Sequence, residues 1–103
     1  MAHSGSRSSG LITADAVVHR GKCKLISIHA CNMHNTDHAQ VAIYDNVAAS
    51  GKVVAKFVLS PLNTAGGDAL NPSLEFDMHG VLCMNGLYVD VTGGTPNVTV
   101  EFS

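Results

Sequence analysis

The stretch that decides the fold is residues 81–102, VLCMNGLYVDVTGGTPNVTVEF. Leu87, Val89 and Val91 alternate with Tyr88 and Asp90, and Val98, Val100 and Phe102 alternate with Thr99 and Glu101. A period of two puts successive side chains on opposite faces, which is the geometry of a half-buried strand. Asn85-Gly86 stands between Val81–Met84 and Leu87–Thr92. That dipeptide tolerates positive φ, so the two segments are predicted to form a hairpin. Gly93-Gly94-Thr95-Pro96 breaks the chain before the last strand, Asn97–Phe102.

The same texture continues toward the N-terminus. Ser73–Met78 places Leu74, Phe76 and Met78 inward and Glu75 and Asp77 outward, with His79-Gly80 as a turn. Lys52–Leu59 and Gln40–Asp45 are strands joined through Asn46–Gly51, a turn because Asn and Gly accept left-handed backbone. In Gln40–Asp45, Val41 and Ile43 oppose Ala42 and Tyr44. In Cys23–Ala30 the apolar face is expected to be Ile26 and Ile28, with Leu25, Ser27 and His29 opposite. Leu11–Val18 is β-rich, and His19–Lys22 is a turn. Cys31–His38 and Ser60–Pro72 read as loops. No stretch has a helical period. The prediction is an all-β, antiparallel two-sheet sandwich of about eight strands, with jelly-roll and immunoglobulin-like connectivities both compatible.

The 103 residues suit one domain. Residues 1–9, MAHSGSRSS, are small and polar and read as a flexible N-terminal arm; residues 10–103 form the sandwich. Charged residues are 14% of the chain, well below the quarter or so of an ordinary soluble domain. A surface short of charge suits burial against neighbours. Net charge is -2 and there is no basic run, so binding to nucleic acid through phosphates is not expected. Apolar runs are too short to span a bilayer as a helix, and Met1–Gly10 does not read as a secretory leader. Cys23, Cys31 and Cys83 are an odd number, which predicts free thiols rather than a disulfide framework.

Ligand-type residues concentrate at Cys23, His29, Cys31, His34, Asp37 and His38. Cys31-x2-His34-x3-His38 offers sulfur and imidazole donors of the kind zinc prefers. A paired Cys-x2-Cys and a fourth ligand are missing, so no metal is assigned and these three residues stand as candidates only. A Cys31 nucleophile with His34 or His38 as base and Asp37 as orienter would have every group inside one short loop, whereas such groups normally come from separated rigid elements. No catalytic residue or cofactor is therefore predicted, and the chain is not expected to be an enzyme. Asp68, Glu75, Asp77 and Asp90 match no calcium loop. Gly66-Gly67 and Gly93-Gly94 lead into neither a Lys-Ser/Thr pair nor a helix, so they are not phosphate loops. Tyr44, Phe57, Phe76, Tyr88 and Phe102 are expected to pack in or under the core.

Two segments carry a resemblance. Ile43–Lys52, IYDNVAASGK, resembles an IYD-x3-ASG turn of small bacteriophage structural proteins. Phe76–Gly94, FDMHGVLCMNGLYVDVTGG, resembles their closing segment, and with Val98–Phe102 the likeness spans about half the chain. It implies a short β-sandwich of the virion. The implied role is a capsid decoration (cement) protein that binds the major capsid protein and its own copies as a homotrimer. Such a protein is made in the host cytoplasm and resides on the capsid surface. A head–tail or fibre component and an adhesive binding module are the alternatives. No catalytic residue comes with the likeness, and the loop Cys31–His38 lies outside it. Long loops on sandwiches often carry function, so Asn32–Ala39 and Ser60–Asn71 are the expected contact regions.

Overall fold

Strand pairing in the computed structural model, which describes residues 6–62 and 72–103, follows a single rule. The strands are β1 (Arg7–Ser8), β2 (Ala16–Arg20), β3 (Cys23–Asn32), β4 (Ala39–Asp45), β5 (Lys52–Leu59), β6 (Ser73–Cys83), β7 (Gly86–Thr92) and β8 (Pro96–Phe102). β1 pairs with β8, β2 with β7, β3 with β6 and β4 with β5, all antiparallel. This is one long hairpin with its tip at Asn46–Gly51. It is rolled up so that β3 also pairs with β8 and β4 with β7. Two four-stranded sheets result, β1-β8-β3-β6 and β2-β7-β4-β5. The sandwich expected from alternation is present, and its connectivity is that of a jelly roll. Only β4 and β5 are consecutive strands within one sheet, unlike the successive hairpins of an immunoglobulin-like sandwich.

The core lies between the sheets. Leu25 and Ile28 of β3 and Val98 and Val100 of β8 meet Val41 and Ile43 of β4 and Leu87 and Val89 of β7 in one buried cluster. On one flank, Phe57 of β5 and Phe76 of β6 stack tilted with ring centroids 4.9 Å apart.

Several local readings are corrected. Asn85-Gly86 does not close a hairpin within a sheet: β6 belongs to the first sheet and β7 to the second, so Met84–Asn85 is an arch between sheets. The Asp45 carboxylate holds it, accepting the N–H of Met84 at 3.1 Å and of Asn85 at 2.8 Å. Gly86 is required because a Cβ there would sit 2.8 Å from the Asn46 carbonyl oxygen. His79-Gly80 does not turn the chain either. Both have positive φ, 56° and 78°, inside one continuous strand. The register passes from Leu25↔Val81 to Ser27↔Asp77, a bulge that sets Met78, His79 and Gly80 against Ile26. The bulge reverses the phase of β3. Leu25 is fully buried before it, Ile28 and Ala30 are buried after it, and Ile26 is only half-buried. The expected pairing of Ile26 with Ile28 on one core face therefore does not occur.

At the N-terminus, Ile12 makes a lone bridge to Val98 and the strand starts only at Ala16, running on through His19 and Arg20. Of the arm, Met1–Gly5 lies outside the described residues. Arg7 and Ser8 pair with Phe102 and Glu101, and the Arg7 guanidinium lies 4.9 Å over the Phe102 ring. Finally, β3 continues through Cys31 and Asn32, which read as loop. Asn32 is fully buried and hydrogen-bonded into three loops. Its Nδ2 donates to the carbonyl oxygens of Asp37 (2.8 Å), Ser60 (3.2 Å) and Leu59 (3.4 Å). Its Oδ1 accepts the N–H of His34 and of Thr95, each at 3.0 Å. Gly94 (φ 56°) belongs to this knot, since a Cβ there would lie 2.8 Å from Asn32 Oδ1.

Three outcomes follow from this architecture. Ile28→Ala is expected to cost about 2–4 kcal/mol in urea unfolding and Ile26→Ala about 1 kcal/mol or less; equal costs would contradict the phase reversal. Asn32→Ala strands several buried backbone groups and is expected to cost at least about 3 kcal/mol in the same assay. For Asp45, the N–H of Asn85 first, then those of Met84 and Gly86, hold the carboxyl below its usual range against the opposing effect of burial. A depressed folded value contributes stability above the unfolded carboxylate value of about 3.9, and that stability is lost as pH falls through the folded value. Melting temperatures followed from pH 7 to pH 2 should therefore drop on the acid side, and Asp45→Asn should lower the neutral value and flatten that drop.

Candidate functional site

The residues singled out for metal or thiol chemistry do not converge. Cys31 is a strand residue on the outer face of the first sheet, where the Asn97 amide lies 3.9 Å from its sulfur. His34 sits in the following loop, and its Nδ1 accepts the N–H of Asp37 at 2.9 Å and of Thr36 at 3.1 Å. That ring nitrogen is engaged in closing the loop, which leaves Nε2, 3.6 Å from Asp37 Oδ2, to carry the proton. His38 is exposed, with its backbone carbonyl packed at Gly93. Among the described residues no group of three or more His, Cys, Asp or Glu is placed to hold a metal ion. Glu75 and Asp77 lie on the outer face of the first sheet and Asp90 on that of the second; Asp68 lies outside the described residues.

The outer face of the first sheet is polar. His29 Nδ1 lies 3.5 Å from Glu75 Oε2, and His29 Nε2 lies 3.5 Å from Ser27 Oγ and 3.9 Å from Glu101 Oε1. A shallow groove of about 450 Å³ runs beside them, lined in part by Leu11, Cys31, Asn97 and Thr99. The order Ser27–His29–Glu75 imitates a hydrolytic relay, but its chemistry is incomplete. Ser27 donates its hydroxyl proton to Glu101 rather than to His29. β3 is paired on both sides, so its amide groups serve the ladder and none is aimed at a developing oxyanion. The residues are also open to water, which weakens any electrostatic assistance. Ser27, His29, Glu75 and Glu101 thus form a polar network on this face.

The outer face of the second sheet has the opposite character. Val17 pairs with Tyr88, Tyr88 with Tyr44 and Tyr44 with Val53, so these four side chains form one row across all four strands. The neighbouring rows are Asp90, Ala42 and Lys56, then Thr92, Gln40 and Val58. Val53 and Val58 are 45% and 53% exposed. The charged residues of this face are Lys56, Asp90 with its neighbour Asp15, and Arg20, which pairs with Gly86 at the end of β2. The Asp90 carboxyl is raised by desolvation and by its hydrogen bond and charge contact with Asp15. The Tyr88 hydroxyl is raised too, first by desolvation and then by Asp15 and Asp90.

Phe57, Phe76 and Phe102 pack inward as expected, but Tyr44 and Tyr88 do not; they are cross-strand neighbours on the outside. Alternation set Tyr88 opposite Leu87, Val89 and Val91 and Tyr44 opposite Val41 and Ile43, but their adjacency needed the β4–β7 register. Within the expected contact loops, Met33, Asn35, Thr36, Asp37, His38 and Leu62 are exposed and Asn32, Ala39 and Pro61 are buried, while residues 63–71 lie outside the described residues. In comparisons with known proteins, no family model, curated protein or solved structure matches this chain.

Asp90 supplies a check on this face. Its raised folded value means stability is lost as pH rises through that value. Asp90→Asn is expected to melt higher than the parent chain at pH 7, with the difference closing at pH 3, as read by thermal unfolding at both.

Proposed function

We propose that this protein is a non-catalytic assembly domain that docks on other protein subunits through the outer face of its second sheet. Its setting, on this reading, is a bacteriophage virion, as a decoration (cement) protein on the major capsid protein. The observation that carries the docking role is the row Val17–Tyr88–Tyr44–Val53 on a face with few charges. Interface cores are depleted of charge and enriched in tyrosine, whose ring gives large contact area at low entropic cost. The low overall charge supports it. The virion setting, the partner capsid protein and the trimeric state rest on the likeness at Ile43–Lys52 and Phe76–Gly94. Jelly rolls also serve as lectin and cupin domains, so the fold alone selects none of these roles. Two adjacent rings are also a stacking surface for a sugar, which makes an adhesive module the second reading.

The test is occupancy of purified particles, read by mass spectrometry and imaging, for the parent chain and for Tyr44→Ala/Tyr88→Ala. Truncation of two central rings is expected to weaken docking by about 2–4 kcal/mol, a loss of roughly 30-fold to 1,000-fold in affinity, with the circular dichroism of the sandwich unchanged. Glu75→Gln on the polar face should leave occupancy at the parent level. Full occupancy by the double variant would overturn the docking face. Absence of the parent chain from particles would overturn the virion setting, and glycan binding lost in the double variant would then support the second reading.

A further inference from the structure

Cys23 opens β3 and Cys83 closes β6, and the register sets them directly opposite each other. Opposed Cα atoms in an antiparallel pair lie about 4.5–5.5 Å apart, inside the span of about 4.4–6.8 Å that a disulfide bridges. Both side chains are buried in the core, and each thiol acts on the other's pKa. Cys31 lies eight positions further along β3, about 26 Å away at strand rise, on the outer face beside Asn97. It has no geometric route to either thiol within the folded chain.

We propose that Cys23 and Cys83 form a latent disulfide site, closed by a small-molecule disulfide such as oxidised glutathione into a staple between central strand β3 and edge strand β6. One protein thiolate attacks a sulfur of the oxidant, which makes a mixed disulfide and releases one thiolate of the oxidant. The second protein thiolate attacks the protein sulfur of that mixed disulfide, forms the Cys23–Cys83 bond and releases the other. Two protein thiols lose two protons and two electrons, and the oxidant takes them up as two thiols.

The fold sets the rate and the consequence. Burial pushes the Cys83 thiol up to about 11, and burial first, then Asp45, also raises Cys23. Thiolate is therefore scarce at neutral pH, and the oxidant reaches the pair only when the edge opens. β6 has a neighbour on one side only, so fraying at Cys83 and the arch is the opening required. Once closed, the bond encloses about 60 residues, a loop long enough to constrain the unfolded chain strongly. It also fixes the end of β6 that leads into the arch. This inference is independent of what the protein docks on.

The experiment incubates the full reduced chain with excess oxidised glutathione at pH 7 and pH 9, in buffer and in urea low enough to leave the sandwich folded. Remaining thiols are alkylated and the chain is mapped by mass spectrometry. The expected product links Cys23 to Cys83 with Cys31 alkylated. It forms faster at pH 9 and raises the melting temperature by about 10 °C or more, reversibly with reductant. Cys31→Ser should give the same product and shift, and Cys83→Ser neither. Failure to form the Cys23–Cys83 link in any condition overturns the proposal. A dominant linkage through Cys31, or a Cys23–Cys83 link with no rise in melting temperature, overturns it as well.

Discussion

The carboxamide of Asn32 is the constraint on which one whole end of this molecule depends. It is buried at the end of the longest central strand and meets five backbone groups, four in three loops and one at the end of β5. Those loops join β3 to β4, β5 to β6 and β7 to β8, so each crosses between the two sheets. A crossing loop has backbone donors and acceptors that no ladder satisfies, and burying them without partners costs heavily. One side chain with two donors and an acceptor of two lone pairs meets that need where water cannot. The requirement for glycine at position 94 follows directly, because the amide occupies the space that a Cβ would take. Asp45 answers the same need at the other end, at the arch that carries the chain from β6 to β7. Asn32 and Asp45 are the buried polar side chains of the described core, and each stands where the chain changes sheets.

Pinning both ends leaves the two outer faces free to differ. Serine, histidine and glutamate exchange hydrogen bonds across the first sheet, and that network keeps the face hydrated. The second sheet carries tyrosine, valine and alanine in register. Asp90, beside Asp15, is already partly desolvated in the free chain. A face in that condition loses little by being covered, which is the physical content of the docking role proposed for it. The thiol pair Cys23–Cys83 lies apart from both faces, at the junction of a central strand and an edge. It is placed to alter the rigidity of the scaffold without altering the outer face of the second sheet.

Alternation of side chains determined more of this protein than any other feature of its sequence. It identified β4, β5, β7 and β8 to within a residue or so, and with them the core residues Val41, Ile43, Leu87, Val89, Val98 and Val100. It did so because strand periodicity is local, each residue reporting its own face. The same local information failed where pairing partners decide the outcome. Asn85-Gly86 has hairpin chemistry, yet β6 finds its partner in β3, so the turn became an arch. His79-Gly80 has turn chemistry, yet both flanks pair with β3, so it became a bulge and moved Leu25 into the core in place of Ile26. Asn32 looked like one more polar loop residue because its five partners lie as far as residue 95. Composition and alternation thus determined the class of fold, its charge-poor character and most of its core. Tertiary structure alone decided the strand order, the meeting of Tyr44 with Tyr88, the opposition of Cys23 to Cys83 and the scattering of Cys31, His34 and His38. Each of these depends on register between strands distant in sequence, and register is a property of pairs, which no single segment encodes.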